Sequence, residues 1–553
     1  MPTLNWIGKE AVVNHDKEVP FRLLKKVKSA SVGENSQNLI IHGDNLEALK
    51  ALMPYYAGKI KCIYIDPPYN TGKENWVYND NVNSPKIKKW IGKVVGPESE
   101  DLSRHDKWLC MMYPRLKLLR DLLSDQGVIF ASIDDNEYGN LKNVLDEIYG
   151  ESNFLGTIIW QTATDNNPSQ VSTEHEYILT YAKNKSLQPK WVGKSEGAAL
   201  IQERYSILKK AYNKDIIKIR KELRRWIKEN KEVLKGVSHY NYVDEEGVYY
   251  PDNPSNPHPG GYKFKVIHPI TKKVCRIPPN GYRWPEETFN YYLNKGDIEF
   301  GIDETITPKI KKRLSNAKEL LRSVYYEDNR RSTNELSELM GGAVFENPKS
   351  PRLIKHLINF VTANDDIILD SFAGSGTTGD AVLQLNKEDG GQRRFILIEL
   401  SEKLKETSIA YKLGFKEVIE ITTNRIKKLI KKYDYKDGFE YCELDKPLFD
   451  ENGQINEDCT FEQLATYIYF TETNTNIDKS KISKEFIGEH NETEYYLLFN
   501  GKGKNVLDRN FLKKINKDGN KKVIYADKCL IDSRTLEKNK IVFKQIPYEV
   551  KVY

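Results

Sequence analysis

KIKCIYIDPPYNTG, residues 59–72, is the stretch whose reading decides the fold. It opens as a strand rich in Ile and Tyr, too apolar to leave one face in water. Such runs belong to parallel sheets covered on both sides. The strand ends in Asp66, two prolines and Tyr69. Two prolines remove two backbone donors and hold the turn extended, leaving carbonyl oxygens open to accept hydrogen bonds. A carboxylate, a rigid carbonyl and a flat aromatic ring therefore meet at one strand's carboxyl end. The trio suits a planar heterocycle with an exocyclic amine: the ring stacks on Tyr69, while Asp66 and the Pro67 carbonyl each take one amine hydrogen. An arylamine lone pair is conjugated into its ring, and holding both hydrogens in acceptors frees it for attack. The plainer alternative for Asp66, Pro67, Pro68 and Tyr69 is an ordinary strand-end turn.

Around this stretch the sequence alternates strands and helices. NLIIH (38–42), GVIFASI (127–133) and EYILTYA (176–182) read as strands; Asn45–Met53, Trp108–Ser124 and Glu137–Tyr149 read as helices. Alternation of this kind implies crossovers and a mostly parallel sheet. The rhythm stops at about residue 184. Residues 201–235 carry 12 Lys/Arg against 5 Asp/Glu, and Ile216, Ile219, Leu223 and Ile227 recur at three- and four-residue steps, which predicts one long helix. YYPDNPSNPHPGGYKF and IPPNGYRWPEE follow, too rich in Pro, Gly and Asn for regular elements. The rhythm resumes at Asn347 with a helix at 350–362, a strand at 365–370, a helix over Thr377–Leu385, a strand at 393–400 and a helix over Glu402–Leu413. The expected division is an N-terminal extension (1–37), a first α/β piece (38–183), an insert (184–346), a second α/β piece (347–434) and an α+β C-terminal domain (435–553).

The second α/β piece holds IILDSFAGSGTTGDAVLQL (367–385), a strand, a glycine-rich turn and a helix. Gly374, Gly376 and Gly379 satisfy GxGxxG, which lets the backbone approach a ligand at a helix N-terminus. The next strand ends in Glu399, about 20 residues on, where a carboxylate can accept ribose hydroxyls. A glycine turn that merely closes a packing contact is the alternative. A phosphate-gripping P-loop lacks its lysine here, because no Lys follows the last glycine of GSGTTG.

DPPY together with FxGxG resembles the amino-methyltransferases of DNA that use S-adenosylmethionine (SAM), in the permuted order of the β group. The resemblance covers about residues 38–183 and 347–425. It implies a Rossmann-like SAM-dependent methyltransferase fold, a mostly parallel seven-stranded sheet with an inserted target-recognition domain. It places Asp44 at the cofactor's adenine and Lys349, Ser350 and Leu353 near its methionine. Asp66, Asp370, Phe372, Gly374, Gly376, Thr377, Thr378 and Glu399 are the further cofactor positions. Permutation is harmless, since neighbouring strands of a doubly wound sheet share one crevice wherever the chain is cut. The implied reaction is in-line methyl transfer to a base amine, yielding S-adenosylhomocysteine, without a metal. Family members acting on cytosine N4 usually carry Ser in place of Asp66, so adenine N6 is favoured over cytosine.

A base inside a duplex must be flipped out to reach such a pocket, costing a few kcal/mol. The insert is the natural place for target recognition: Lys209, Lys210, Arg220, Arg224 and Arg225 can neutralise phosphates, and Tyr282 and Trp284 can meet bases. The alternative is a solvated helix face. Asn79-Asp80 and Lys107-Trp108 lie in or after a polar loop that could clamp the flipped base, and His42 and His175 read as structural. IDPPYNTG, FASIDDNE, the long insert and the C-terminal region resemble the modification (Mod) subunit of Type III restriction–modification systems. That resemblance implies double-stranded DNA as substrate, a homodimer, and a helicase–nuclease (Res) partner, with residues 435–553 as its candidate contact. An orphan methyltransferase without a nuclease partner is the alternative within the family. A nucleotide-dependent oxidoreductase would leave DPPY unexplained, and an idle DNA-binding module would leave Asp66 and Tyr69 without a task.

Composition agrees with these readings. With 39% hydrophobic and 30% charged residues, the 553-residue chain is neither disordered nor collagen-like. Six scattered cysteines form no CxxC and no metal-ligand spacing, so a reduced, cytosolic chain without zinc is expected. No apolar run approaches the roughly 18–20 residues of a membrane helix. A net charge of +6 permits DNA binding through local patches but does not argue for it alone.

Overall fold

The computed structural model describes residues 3–33, 36–71, 103–162, 170–213, 215–231, 234, 236–449, 455–456, 459–501, 503–515 and 519–546. Two compact units emerge: one holds Met1–Lys190 and Arg322–Tyr553, the other Trp191–Leu321.

The first unit is built on a ten-stranded sheet. In chain order its strands are β1 (Arg22–Lys26), β2 (Leu39–His42), β3 (Ile60–Ile65), β4 (Leu123–Ile133), β5 (Phe154–Gln161), β6 (His175–Ala182), β7 (Val324–Tyr326), β8 (Ile367–Asp370), β9 (Arg394–Glu399) and β10 (Glu440–Pro447). Their spatial order is β1-β10-β2-β9-β8-β3-β4-β6-β5-β7. The middle, from β10 to β4, is parallel throughout. β6 runs antiparallel between β4 and β5, and β1 is antiparallel to β10.

The expected α/β sheet is therefore present, with ten strands where seven were expected. β1 (RLLKK) and β10 (EYCELDKP) were missed because they lie at or near one edge and carry charged side chains where a central strand carries apolar ones. Residues 322–346, expected within the insert, fold with this unit: β7 pairs with β5, and a helix follows at Asn329–Met340. The stretch from 402 to 413, expected as a helix, is helical only over Ile409–Lys412.

The centre forms where both faces are apolar. All four residues of β8, IILD, are buried. Helix α1 (Asn45–Tyr56) and helix α2 (Arg104–Leu122) cover the sheet and contribute Leu49, Leu52, Trp108, Met112, Leu116 and Leu119 to one core. α2 begins in a capping box in which Ser103 and Asp106 satisfy each other's backbone donors. Helix α3 (Tyr138–Tyr149) packs against α2 and β6. Helix α4 (Pro351–Val361) starts with proline in its first turn, where the missing N–H costs nothing. Helix α5 (Thr377–Asp389) follows β8, and helix α6 (Val418–Tyr433) packs against α5. Among the described residues no helix is long and apolar enough to cross a membrane.

The permuted motifs come together through pairing of β3 with β8, in the register Ile368↔Cys62 and Leu369↔Ile63. Both strands run the same way, so Asp66 and the glycine loop leave the sheet at the same edge. β9 and β2 continue that edge, with Glu399 opposite His42.

The second unit contains helices at Glu196–Ala211 and Ile216–Glu229 and a small four-stranded sheet. The single helix expected over 201–235 is thus two. The break falls at Asn213, whose φ of 44° is left-handed, and Asp215 caps the second helix by accepting from the Lys218 N–H.

Candidate active site

A cavity of about 460 Å³ opens at the carboxyl ends of β3 and β8, lined by Asp66, Pro67, Pro68, Tyr69, Glu176, Lys349, Asp370, Phe372, Gly374 and Thr377. The double-proline turn is pinned from behind. Trp108 Nε1 donates to the Pro68 carbonyl at 2.7 Å. Asn70, left-handed with φ 56°, donates its amide to the Arg104 carbonyl at 3.2 Å and to Glu137. Glu137 is fully buried and also pairs with His105 at 2.7 Å and accepts from Asn140 at 2.7 Å. The segment after Tyr69 is thereby held to α2 and to the start of α3.

The side chains inside the cavity form one charged cluster. The Tyr69 hydroxyl donates to Glu176 Oε2 at 2.8 Å and accepts from Lys349 Nζ at 2.6 Å. Lys349 Nζ lies 2.5 Å from Glu176 Oε2 and 3.4 Å from Asp66 Oδ1, and stands over the rings of Tyr69 (4.6 Å) and Trp160 (5.1 Å). Asp66 Oδ1 is buried without a well-formed hydrogen bond. Burial pushes the Asp66 carboxyl above the ordinary carboxylate range; Lys349 opposes the rise and Glu176 adds to it. Burial also works against the Lys349 ammonium, but Asp66 and Glu176 outweigh it and hold that group above its ordinary value. Tyr69 is raised well above ordinary phenols, by burial first and then by the two carboxylates, so it remains a neutral donor.

The glycine loop forms the adjoining wall. Gly374 (φ 53°) and Gly376 (φ 82°) adopt left-handed backbone that other residues enter only with strain. Asp370 accepts from the Phe372 N–H at 3.0 Å and the Thr378 hydroxyl at 2.5 Å, and Glu399 accepts from the Gly374 N–H at 2.7 Å. Burial pushes the Asp370 carboxyl up to about 7, against its two hydrogen bonds. Arg425 of α6 braces the loop from below, donating to Ser375 Oγ (2.9 Å), Thr377 Oγ1 (3.0 Å) and Asp380 (2.8 Å). Beyond Glu399 a second hollow of about 530 Å³ is lined by His42, Asp44, Leu400 and Ser401 among others. Asp44 caps α1 by accepting from the Leu46 N–H at 2.9 Å, and Arg115 Nη2 lies 3.3 Å from its carboxylate.

Two hollows thus open at the carboxyl ends of the central strands, one lined by the glycine loop and the other carrying the Asp44 carboxylate. Asp44 lines the second hollow and Phe372, Gly374 and Thr377 line the cavity, whereas Glu399 is buried, lines neither and accepts from the Gly374 N–H. Four expected cofactor residues are placed otherwise. Leu353 and Ser350 are fully buried, with Ile354 lining the cavity instead, and Thr378 is buried with its hydroxyl committed to Asp370. Lys349 is turned into the cluster of Asp66 and Glu176. Two residues the sequence reading passed over matter here. Glu176 opens the strand EYILTYA, but only an antiparallel β6 brings the start of that strand to the crevice. Arg425 is the one charged residue among the buried residues of α6, a helix whose other cations are Lys427, Lys428, Lys431 and Lys432.

The candidate DNA contacts of the insert divide. Tyr282 has no exposed surface: its ring is stacked on Phe264 at 4.4 Å in a small core, so it offers no platform to a base. Trp284 is half-buried beside the same core. Arg220 and Arg224 donate to the carbonyls of Val243 and Asn241 and lie over the Tyr242 ring. Arg225 pairs with Glu222 and Glu229, Lys209 lies over the Tyr205 ring, and Lys210 is exposed. Lys107 precedes the buried Trp108 on α2, and Asn79-Asp80 lies outside the described residues. His42 pairs with Glu417 at 3.4 Å, and His175 Nε2 is 3.0 Å from the Tyr177 hydroxyl.

Residues 60–412 match the family of N6/N4 enzymes described as DNA methylase, and the chain belongs to that family. Within it the chain is similar to Mod subunits of Type III restriction–modification enzymes. The EcoP15I Mod subunit of Escherichia coli is 38% identical over 459 residues, 80% of this chain and 71% of that protein. The EcoPI Mod subunit of Escherichia phage P1 is 34% identical over 458 residues, 78% of this chain and 68% of that protein. The StyLTI Mod subunit of Salmonella typhimurium is 34% identical over 419 residues, 72% and 58% respectively.

Proposed function

We propose that the chain methylates the N6 amine of an adenine flipped out of double-stranded DNA, as the modification subunit of a Type III restriction–modification system. The observation that carries this reading is the shared cavity of Asp66, Tyr69 and the glycine loop, drawn from segments some 300 residues apart. The adenine stacks on Tyr69, and Asp66 and the Pro67 carbonyl accept its amine hydrogens. Trp108 occupies the Pro68 carbonyl and so holds the prolines in one conformation. The side chains of Asp44 and Glu399 bind the nucleoside end of SAM, and the glycine loop lies along its amino-acid end. SAM, when bound, supplies an electrophilic methyl group. The chain's own residues hold the amine, exclude water and accept its hydrogens. The structural cost of base flipping, a few kcal/mol, is recovered by stacking and by contacts from cations of the insert, Lys210 and Arg225 among them. The working assembly in this reading is a homodimer that joins a Res helicase–nuclease subunit through residues 435–553.

Single-molecule sequencing of DNA from cells that express this chain, or its Asp66→Ala form, tests the reading. N6-methyladenine in one sequence context, present with the first and absent with the second, is expected. Cytosine N4 methylation, or no modified base, contradicts it.

A further inference from the structure

Of the carboxylates that line the cavity outside the two motifs, Asp134, Glu176 and Glu346, Glu176 is the one that bonds both Tyr69 and Lys349. It enters from β6, and two functional groups meet on its Oε2: the Tyr69 hydroxyl at 2.8 Å and the Lys349 ammonium at 2.5 Å. Tyr69 thus depends on a strand two places away from its own for the orientation of its ring. Lys349, likewise, is drawn to 3.4 Å from Asp66 while sharing Glu176.

We propose, resting on the function just given, that Glu176 is a positioning residue for methyl transfer: it fixes the ring on which the flipped base stacks and holds Lys349 beside Asp66. The chemistry requires both. A tyrosine ring with a free hydroxyl turns about its side-chain bonds, and a base stacked on it loses alignment with the donor; small misplacements of this kind cost about a hundredfold in rate. Asp66 serves as a double acceptor only while ionised, and in a buried site an uncompensated carboxylate takes up a proton. Lys349 supplies the compensation. Glu176 keeps that cation beside Asp66, over the rings of Tyr69 and Trp160, and tempers it with its own charge.

The groups facing Asp66 are Lys349 and Tyr69 across the cavity, Glu176 from β6, Tyr64 on its own strand and Asp370 from β8; Asp134 at the end of β4 faces Glu176 in turn. Two of the neighbours are carboxylates, so removing the charge of Glu176 favours ionised Asp66.

The test uses the full chain with a DNA substrate and labelled SAM. Wild-type transfer to adenine is measured first, and its absence would count against the function and not against the positioning role. Tyr69→Phe keeps the stacking ring and loses the bond to Glu176; Glu176→Leu loses the same bond from the other side. Each single variant is expected to lower kcat by about tenfold or more, and the double variant to fall clearly short of the product of the two losses, because both remove the Tyr69–Glu176 bond. Glu176→Gln retains an acceptor for Tyr69 without the charge, and is expected to move the acid limb of kcat to lower pH, whereas Lys349→Met moves it to higher pH. Additive losses in the double variant, or an acid limb unmoved in Glu176→Gln, would overturn the proposal. Should Glu176→Leu fail to fold, the near-isosteric Gln variant and its pH profile decide.

Discussion

Arg425 gives the sharpest test of how the glycine loop is held. Its side chain is 3% exposed and its partner Asp380 is 7% exposed, a buried ion pair at 2.8 Å. The guanidinium also donates to Ser375 and Thr377, two of the loop's own residues. Replacing it by Met removes one member of a buried pair and leaves the Asp380 charge, among the described residues, with Gln384 as its side-chain donor. Loss of one partner costs about 3–5 kcal/mol, whereas replacing both partners by apolar groups of similar volume is often neutral. Ser375 and Thr377 lose a hydrogen bond in either case, at roughly 1 kcal/mol each. Arg425→Met is therefore expected to cost about 5–7 kcal/mol, and Arg425→Met with Asp380→Leu about 2. Urea unfolding of the full chain, followed by intrinsic fluorescence, measures both. Because the loop lines the cavity, calorimetry should also show SAM affinity falling by about tenfold in the single variant. A single variant within 1 kcal/mol of the parent, or a double variant as unstable as the single, would refute the reasoning.

Gly376→Ala forces a Cβ onto a backbone of φ 82° and against Thr422 Cγ2 at 3.1 Å; a loss of about 1–2 kcal/mol is expected, read as a lower urea midpoint. Burial holds the Asp370 carboxyl up at about 7, so the folded chain binds that proton more tightly than the unfolded chain. Its contribution to stability is full below about pH 4 and is lost as pH rises through 7, with a slope approaching 1.4 kcal/mol per pH unit. Asp370→Asn should flatten that slope between pH 5 and 7, and unfolding midpoints over that range check it. Arg224→Ala loses a bond to the Asn241 carbonyl and its place over Tyr242, so a lower melting temperature is expected, visible without DNA present.

Much of the core was legible because its strands carry their burial in their composition. KIKCIYID, IILD and RRFILIEL read as covered parallel strands, and they are the centre of the sheet. The glycine loop was legible because a left-handed backbone at Gly374 and Gly376 has few other spellings. Outer strands were not: RLLKK and EYCELDKP have the composition of surface segments, and only their pairing with each other and with β2 gives them a place. Neither Tyr282 nor Leu353 could be placed by residue type. An aromatic in a basic, Pro-rich stretch suggests a base contact, yet the ring was needed to fill a small core. Glu176 stayed hidden because its role depends on strand direction: in a parallel β6 the same residue would sit at the far edge of the sheet.

The central claim is that Asp66 and Tyr69 present a base amine to a methyl donor held by the glycine loop. Mass spectrometry of nucleosides, from DNA incubated with the purified chain and SAM, tests it most directly. N6-methyldeoxyadenosine that forms with the parent chain and falls at least a hundredfold with Asp66→Ala is the predicted result. Methyl transfer that persists in Asp66→Ala, or that appears on cytosine, would contradict it.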